Sequence, residues 1–526
     1  MGTYLNPGNK GFQKILRSEY VDKTGLIELV NRTIGTMEML TCISRPRRFG
    51  KSYAAKMLCA YYDGSCDSHA LFDNKEIART EGYLTHLNQY HVIILDITGF
   101  ISDAARMDMP LSNVPNMIAD AVYRELTESY PEQTGKSLTD AMIDCVEKTG
   151  KEFVFIIDEW DALIREAKGD INTLKKYLNF LRGWFKNSNF TPRAVAAAYM
   201  TGILPIKKDG SQSAISDFKE YTILAPGKFV EYTGFTERDV RLLCEKYRMD
   251  FEDVRQWYDG YDFPGYGSVY NPYSVMCAMQ AQECCSYWQK TTAAESLMTY
   301  INMDFEGLQE IIARLIAGEE IEVRTSRFAN DFETFKSRDD VLTLLIHLGY
   351  LTWNKEDGTA HIPNEEIRME FEEILEGTGV SQKWVELLSR SRNLLDDTVA
   401  GNGESVAKAI EEIRGTQYAP TFYNDEQALR YVIKFAYIAA IDQYLKVEEL
   451  PSGKGLADVV YLPKRRSMLP ALVIELKWDK SSEGAIQQIK ERDYPAILKD
   501  YGGEVVLVGI NYEVKKKVHS CVIERV

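Results

Sequence analysis

In the first part of the chain, hydrophobic residues form short runs that end in polar or charged residues. The run MEMLTCIS is followed by a basic turn, RPRRFGKS, and then by a helix-like segment, YAAKMLCAYY. The apolar run from Phe153 to Ile157 leads directly into Asp158 and Glu159, and the run AVAAAYM leads into Thr201. Continuously apolar strands are typical of parallel sheets buried on both faces. The pattern therefore predicts an α/β domain with polar groups at its strand ends.

Helical periodicity dominates from about residue 236 to about residue 345, beginning with a helix-start signal at Thr236. A segment rich in glycine, proline and tyrosine interrupts it and predicts either a packed corner or a binding surface. Residues 339–375 have the pattern helix, hairpin, helix, with Asp357 and Gly358 at the turn. This order resembles a winged helix. Because the segment is acidic, we expect it to brace neighbouring domains rather than bind DNA.

Two strand-like runs near the end of the chain, LADVVYL and ALVIELKW, are joined by a basic turn and followed by an amphipathic helix. Glu475 and Lys477 are two residues apart in the second run, so they share one face of the strand. Surface strands often carry such pairs in solvent. This run is too apolar for an exposed edge, which favours an ion-binding site, because an unpartnered buried charge is costly.

The strand, turn and helix around residue 50 match the order that a phosphate-binding loop requires, since backbone N–H groups then face the phosphates. Gly50 allows close approach of the backbone, Lys51 is placed to contact the β- and γ-phosphates, and Ser52 is placed to hold magnesium. Arg45 stands where the GxxxxGKS motif has its first glycine. The match therefore has one departure.

The apolar run that ends at Asp158 predicts the second half of an ATPase site, with Asp158 near magnesium and Glu159 placed to activate water. Thr201 either senses the γ-phosphate or is simply solvated at its strand end. Arg47 and Arg48 contact the nucleotide, reach a neighbouring subunit, or remain in solvent. The predicted nucleotide-binding residues are Arg47, Arg48, Phe49, Gly50, Lys51, Ser52, Asp158 and Thr201, with Ser52 and Asp158 as the magnesium ligands.

Composition narrows the class of protein. A chain of 526 residues is long enough for several domains, and 45% hydrophobic with 27% charged residues is ordinary for a soluble globular protein. No apolar run approaches the roughly 20 residues of a membrane-spanning helix, so we expect no membrane association. The nine cysteines are scattered and lack metal-ligand spacing, which predicts a reducing cytoplasm without disulfides or a zinc site.

Charge is distributed unevenly along the chain. The formal net charge of −16 argues against general coating of nucleic acid. Residues 451–526, however, contain 13 Lys and Arg against 10 Asp and Glu. The C-terminal segment therefore differs in electrostatic character from the rest.

The charged residues of the C-terminal runs predict phosphodiester chemistry. Asp458, Glu475 and Lys477 converge if the two runs pair, and two carboxylates can hold magnesium while a lysine positions or activates water. Gln488 in the next helix and Glu426 in the preceding helix are further candidates, with Glu426 as a metal ligand beside Asp458 and Glu475. The basic groups that would meet a phosphate backbone are Lys464, Arg465, Arg466, Lys515, Lys516 and Lys517.

With both sets of residues in view, the chain resembles a family of bacterial proteins that join a predicted AAA-like ATPase to a C-terminal nuclease of the PD-(D/E)XK superfamily. The matching stretches are YVDKTGLI, RPRRFGKS, FIIDEWDAL, TGILPIKK, GFTERDV, WYDGY, GKGLADVV, VIELKW and AIQQIKE. Members of this family resemble the chain at the position of Arg45, so the missing glycine agrees with the resemblance. The resemblance implies that Asp458, Glu475, Lys477 and Gln488 form the nuclease metal-site pattern. Asp22 and Lys23 in the first stretch either approach the nucleotide or start a helix.

These observations predict three domains: an AAA-like P-loop ATPase domain at 1–235, a helical and winged-helix-like region at 236–400, and a restriction-endonuclease-like α/β domain at 401–526. The expected protein is an ATP-binding and ATP-hydrolysing, ATP-regulated, metal-dependent nuclease in the cytoplasm, acting in defence or on mobile DNA. Its expected cofactors are ATP and Mg²⁺, with Mn²⁺ as a substitute at the nuclease site. Its expected partner is nucleic acid, with DNA favoured over RNA, and the resemblance allows a homo-oligomer.

Two other functions stay open from the sequence. The first alternative is an ATPase signalling switch whose nuclease-like domain only binds nucleic acid or a protein. The complete set of Asp458, Glu475 and Lys477 argues against this, since mere binding does not require it. A loop that binds nucleotide without hydrolysing it is disfavoured by Glu159, because binding alone needs no positioned base.

Overall fold

The computed structural model describes residues 2–167, 170–206, 215–263, 266–288, 301, 305–316, 318–328, 335, 337–377, 382–417, 426–442, 444–452, 455–463, 469–491 and 503–526. The chain divides into two compact units. One comprises Met1–Leu308 and Glu320–Glu370, and the other comprises Gln309–Glu319 and Phe371–Val526. The predicted domain limits at residues 235 and 400 stay a prediction.

A five-stranded parallel sheet forms the centre of the N-terminal part, as the apolar runs predict. Alternate residues of its third strand enter different cores: Phe153, Phe155 and Ile157 pack in one, and Val154 and Ile156 pack in the other. Both faces are therefore buried, which explains the unbroken apolar run. In the order β2-β3-β4-β1-β5, the strands are β1 (Leu40–Ser44), β2 (His91–Asp96), β3 (Phe153–Asp158), β4 (Val195–Gly202) and β5 (Lys219–Tyr221).

Helices cover both faces of this sheet. The first core holds residues of α6, α7, α8 and α10, and the second holds residues of α1, α2 and α3. The helices are α1 (Lys10–Leu16), α2 (Gly25–Asn31), α3 (Lys51–Tyr62), α4 (His69–Phe72), α5 (Tyr83–His86), α6 (Ile97–Arg106), α7 (Val114–Ser129), α8 (Leu138–Thr149), α9 (Ala162–Glu166), α10 (Ile171–Phe185) and α11 (Thr191–Ala194).

The carboxyl ends of the parallel strands meet at one edge of the sheet. Ser44 pairs with Gly202, and Asp96 pairs with Asp158. The loop after β1, the end of β3 and the end of β4 are therefore neighbours. Ligands of open α/β sheets bind at this edge.

A small antiparallel sheet and three helices follow, with a core of their own. Thr236 caps the first helix in a reciprocal capping box with Asp239, which confirms the predicted helix start. Tyr258, Tyr261 and Tyr270 are buried, so the tyrosine-rich segment is largely a packed corner. The elements are β6 (Phe235–Thr236), α12 (Glu237–Tyr247), α13 (Phe251–Tyr258), β7 (Tyr261–Phe263), β8 (Gly267–Tyr270) and α14 (Pro272–Ala281).

The predicted order helix, hairpin, helix is confirmed between residues 338 and 377. Gly358 adopts a left-handed conformation at the hairpin turn, and its N–H donates to Asn354 O at 2.9 Å. A short third strand pairs with the hairpin. In chain order the elements are α15 (Leu308–Ile316), β9 (Ile321–Glu322), α16 (Arg338–Leu348), β10 (Thr352–Asn354), β11 (Thr359–His361) and α17 (Glu365–Gly377).

A five-stranded mixed sheet forms the C-terminal unit, in the sequential order β12 to β16. Only the β14–β15 pair is parallel. The elements are α18 (Gln382–Ala400), α19 (Gly403–Gln417), α20 (Glu426–Ala436), β12 (Tyr444–Ser452), β13 (Gly455–Pro463), β14 (Ala471–Trp478), α21 (Ser482–Glu491), β15 (Val505–Glu513) and β16 (Val518–Arg525). None of the helices described in the chain has the length and hydropathy needed to cross a membrane.

Gly260 gives a test of the packing around the tyrosine-rich corner. Its φ is +105°, and a Cβ there would lie 1.9 Å from Pro363 O. We expect Gly260→Ala to lower the free energy of unfolding by more than about 2 kcal/mol in urea titrations followed by circular dichroism. Gly358→Ala is the control, because its φ is +70° but no atom lies within 4 Å of the added Cβ; it should cost about 1 kcal/mol. Equal losses would contradict the close packing.

Candidate functional site

The loop from Arg45 to Gly50 joins β1 to α3 at the carboxyl edge of the parallel sheet. Arg48 and Gly50 have φ of +68° and +82°, and α3 begins at Lys51. Alternation of right- and left-handed residues turns successive N–H groups toward the same side, which creates an anion-binding concavity. The geometry matches the predicted phosphate-binding loop.

Lys51 is held at the mouth of this loop. Its side chain is 4% exposed, and Nζ donates to Arg45 O at 3.0 Å and Pro46 O at 2.8 Å. Glu159 Oε1 lies 3.9 Å from Nζ. Burial lowers the pKa of Lys51, while Glu159 and Asp158 act in the opposite direction. The charge of Lys51 is therefore opposed by burial and favoured by the neighbouring carboxylates.

Arg45 explains the departure from the glycine of the motif. Its guanidinium is buried, with Nε donating to Thr233 Oγ1 at 3.0 Å and Nη1 donating to the carbonyls of Ser44 and Tyr221 at 3.0 and 3.2 Å. Burial lowers its pKa to about 10. Its backbone N–H donates to Gly202 O. Arg45 therefore anchors the start of the loop and does not line the cavity beside it.

The structure brings the strand-end residues together beside Lys51. Asp158 is the last residue of β3, and its Oδ1 accepts a short hydrogen bond from Thr201 Oγ1. Thr201 is buried, so the interpretation as a solvated strand end is wrong. Glu159 has a φ of +52°, a left-handed conformation that costs energy for a residue with a Cβ. In this conformation Oε1 of Glu159 lies 3.9 Å from Lys51 Nζ.

Asp161 and Arg165 belong to this cluster and were missed from the sequence. Arg165 Nη2 donates to Glu159 Oε2 at 2.6 Å, and Nε donates to Asp161 Oδ2 at 3.1 Å. Asp161 also accepts from the N–H groups of Ile203 and Leu204 at 3.3 and 3.0 Å. Burial raises the pKa of Glu159 despite the nearby cations. The spacing of an acid and an arginine four residues apart is the signal that could have indicated the pair.

A cavity of about 730 Å³ opens beside these groups. This volume lies in the range of about 300–1,000 Å³ that is usual for small-molecule sites. Ser52 lines the cavity, and Phe49 lines it while packing edge-on against Tyr261 at 5.2 Å. The cations on its walls are Lys23, Arg47, Arg48, Lys51 and Arg165, and its aromatic and apolar walls include Tyr20, Val21, Met57, Tyr232, Phe235, Tyr273 and Met276.

Arg48 lies with its guanidinium 3.8 Å from the ring centroid of Tyr273, a cation–π contact. Arg48 and Arg47 both line the cavity, so neither lies in open solvent. Burial is the largest cause of a lowered pKa at Arg47, followed by the positive charge of Arg165. These arginines make the loop side of the cavity positive.

Asp22 and Lys23 have different positions. Asp22 accepts from Thr24 N–H and Thr24 Oγ1 at the start of α2, which agrees with the helix-start interpretation. Lys23 lines the cavity and forms an ion pair with Asp239 at 2.5 Å. Of these two residues, only Lys23 lines the cavity.

The predicted C-terminal residues converge in the mixed sheet. Val459 pairs with Ile474, so Asp458 and Glu475 are the next positions along β13 and β14. Glu475 is 2% exposed; its Oε1 lies 3.1 Å from Lys477 Nζ and accepts a short hydrogen bond from Gln488 Nε2. The strand is buried, as the apolar pattern predicts.

Arg430 is a member of this cluster that the sequence did not suggest. Its Nη2 contacts Asp458 Oδ1 in a short ion pair, and Asp458 Oδ2 accepts from Leu476 N–H at 2.8 Å. Glu426 is the first residue of α20 and lies one turn before Arg430, on the same side of the helix. The basic turn Lys464, Arg465 and Arg466 lies outside the described residues. Lys515, Lys516 and Lys517 are exposed between β15 and β16.

The carboxylate of Asp458 at the predicted metal site is already occupied by partners from the chain. Both oxygens of Asp458 accept hydrogen bonds from groups of the chain itself. In the parts of the chain that the structure describes, no group of three or more His, Cys, Asp or Glu side chains is arranged to hold a metal ion. A metal ion at Asp458 would therefore compete with the guanidinium of Arg430 for the carboxylate.

Comparison with known proteins finds a similarity over the N-terminal part of the chain. Residues 8–211 match the family model described as predicted AAA-ATPase, which spans Lys51, Asp158, Glu159 and Thr201. This part of the chain is a parallel-sheet α/β domain that is similar to the predicted AAA-ATPase family. A curated relative, "Uncharacterized protein in vnfD 5'region" of Azotobacter chroococcum mcd 1, is 21% identical over 96% of this chain and 95% of its own length.

Two solved structures share weak similarity. The ORC2 protein of Aeropyrum pernix, in ADPNP and ADP complexes, is 12% identical with a TM-score of 0.32, covering 72% of this chain and 100% of that chain. AMPPCP-bound DnaA from Aquifex aeolicus is 10% identical with a TM-score of 0.23, covering 64% of this chain and 81% of that chain. Scores this low carry no argument about fold or function.

The anchoring role of Arg45 is testable by restoring the glycine of the motif. We expect Arg45→Gly to lower the free energy of unfolding by roughly 3 kcal/mol, because buried acceptors lose their donor and a cavity is left. Urea unfolding of this variant would be compared with that of Arg47→Gly, which removes a partly exposed arginine two residues away and should cost less than about 1 kcal/mol. Wild-type stability in Arg45→Gly would show that the guanidinium does not anchor the loop.

Proposed function

We propose that the N-terminal module binds and hydrolyses ATP, and that the C-terminal unit acts on nucleic acid as a metal-dependent nuclease. One observation carries the first part: Lys51, Asp158, Glu159 and Thr201 lie together at the edge of a parallel sheet beside a cavity of about 730 Å³. The family match over residues 8–211 supports the same interpretation.

The residues of the cavity fit ATP and magnesium. The positively charged loop side suits the phosphates, with backbone N–H groups and Lys51 as donors. The hydroxyl of Ser52 and the carboxylate of Asp158 are the hard oxygen ligands that Mg²⁺ prefers. Magnesium, when bound, would neutralise charge on the phosphate oxygens. The aromatic and apolar wall around Tyr20 and Met276 suits a nucleobase.

Glu159 is the group placed to take a proton from water. Burial raises its pKa, which makes the carboxylate a stronger base than an exposed glutamate. Thr201 donates to Asp158 and thereby fixes the orientation of that carboxylate. In the proposed reaction these side chains orient and deprotonate, while the loop holds the phosphates.

Substitutions of Lys51 and Glu159 separate binding from hydrolysis. We expect Lys51→Ala to weaken ATP binding at least about tenfold, since a charge-assisted contact is lost. Glu159→Gln should bind ATP at least as tightly as the wild type and lose turnover by at least about 100-fold. Fluorescent-nucleotide titration and phosphate release would measure the two quantities, with Lys56→Ala on the exposed side of α3 as control. Undiminished turnover in Glu159→Gln would contradict the assignment of the base.

The nuclease part of the proposal is supported by the convergence of Asp458, Glu475, Lys477 and Gln488 from two strands and a helix. Four polar groups gathered in a largely buried sheet are costly unless they serve a site or satisfy one another. The residue types suit magnesium, or manganese in its place, and the arrangement suits it only after Arg430 leaves Asp458. The exposed lysines 515–517 suit a phosphate backbone, and we take DNA as the nucleic acid.

A second function is favoured by the same ion pairs. Asp458 is neutralised by Arg430 and Glu475 by Lys477, so the cluster is satisfied without a metal. Such a unit would bind nucleic acid or a protein partner, and the ATPase would act as the switch. A homo-oligomer is compatible with either function.

Cleavage assays decide between the two functions. Circular DNA, linear DNA and RNA would be incubated with the full chain in magnesium and then in manganese, with and without ATP. We expect Lys477→Ala to abolish cleavage, because the ammonium beside Glu475 is lost, while ATP turnover stays unchanged. Lys490→Ala, at an exposed position of α21, is the control. Cleavage by Lys477→Ala at the wild-type rate would reject the site, and absence of cleavage by the wild type would favour the binding function.

A further inference from the structure

Arg165 lines the cavity of the proposed ATPase site and contacts Glu159. The proposed reaction nevertheless gives this side chain no role. The side chain is 9% exposed, lines the cavity, and holds two carboxylates at once, Glu159 at 2.6 Å and Asp161 at 3.1 Å. A planar guanidinium can do this because its N–H groups form a rigid fork with several edges. The two carboxylates, however, are not equivalent partners.

Asp161 is the fixed partner of Arg165. Its side chain is fully buried and also accepts from the N–H groups of Ile203 and Leu204 beyond the end of β4. Moving Asp161 would leave those donors without an acceptor in the interior, at a substantial cost. Asp161 therefore keeps the Nε edge of Arg165 in place.

Glu159 is the replaceable partner. Its side chain is 21% exposed and lies on the cavity wall, with Lys51 Nζ 3.9 Å from its other oxygen. A phosphate group at the end of the loop, next to Lys51, would approach the same Nη edge of Arg165 that Glu159 holds. Phosphate and carboxylate compete for a guanidinium because both accept charge-assisted hydrogen bonds.

We propose that Arg165 distinguishes ATP from ADP: the γ-phosphate replaces Glu159 as the partner of the guanidinium while Asp161 retains it. This inference rests on the proposed ATP site. The exchange has a chemical consequence, since it frees the carboxylate of Glu159 to accept a proton from water only when a γ-phosphate is present. Arg165 is thus a phosphate-contacting and positioning residue whose effect is confined to the triphosphate.

The test compares two nucleotides on one set of variants. Binding of ADP and of the β,γ-imido analogue of ATP, both with magnesium, would be measured by titration calorimetry on the full chain. Arg165→Gln should weaken the analogue by at least about tenfold and ADP by less than about threefold. Arg193→Gln, which removes an exposed arginine paired with Glu147, should change neither. Equal weakening of the two nucleotides, or no weakening of the analogue, would overturn the inference.

The substitution Glu159→Gln tests whether Glu159 and the γ-phosphate compete for Arg165. If Glu159 competes with the γ-phosphate for Arg165, its neutralisation should tighten the analogue by about threefold or more and leave ADP unchanged. The same substitution in the Arg165→Gln background should give no tightening. Tightening of equal size in both backgrounds would show that Glu159 acts on the phosphate without Arg165, and no tightening in either would show that it does not compete.

Folding and the proposed function are controlled separately. Should Arg165→Gln melt far below the wild type by circular dichroism, Arg165→Lys replaces it, because lysine keeps the charge but cannot hold Asp161 and a phosphate through two edges. It should still weaken the analogue more than ADP, by about threefold, and unchanged preference would overturn the inference. Binding of neither nucleotide by the wild type would reject the ATP site itself. Binding that Lys51→Ala abolishes and Arg165→Gln leaves unaltered would reject only the role of Arg165.

Discussion

The buried carboxylate of Asp161 is the constraint on which the geometry of the first site depends. It accepts hydrogen bonds from two N–H groups beyond β4 and from Arg165 on α9, and so joins the segments that follow β3 and β4. The approach is close: a Cβ at Gly202 would lie 2.7 Å from Asp161 Oδ1 and from the ring of Trp160. Because the carboxylate is fully enclosed, each of these contacts must be made for the charge to be tolerated. Asp161 thus connects the segment that carries Glu159 to the segment that follows Thr201.

Local patterns in the sequence predicted the parts of the site that depend on neighbouring residues. The unbroken apolar run before Asp158 specified a strand buried on both faces, and the glycine before Lys51 specified the turn into α3. The role of Arg45 was not accessible in this way, since its partners Thr233 and Tyr221 are more than 170 positions away. The residues that surround Arg45 in the sequence do not indicate which distant residues it contacts in the fold.

The same limit applied to the C-terminal unit. The alternation of Glu475 and Lys477 within an apolar run predicted an ion-binding site, which stays a prediction. The pairing of the two strands places Asp458 next to Glu475, as expected. Arg430 comes from a helix 28 residues before Asp458, and helical periodicity alone does not say which strand a helix will cover. A buried carboxylate in the sequence therefore predicts that a cation lies beside it, but packing determines which residue supplies that cation.

Both sites satisfy buried carboxylates with cations of the chain itself, so ligand binding at either must be an exchange of partners rather than a simple addition. The two exchanges in the first site differ in kind. Lys51 would give up neutral carbonyl acceptors of its own loop for charged phosphate oxygens, an exchange that favours any nucleotide with a β-phosphate. Arg165 would exchange one anion, Glu159, for another, the γ-phosphate. The free energies of the two contacts are similar, so the exchange depends on whether a third phosphate is present. Affinity and discrimination would then reside in different cations, because the partner that each of them surrenders is different.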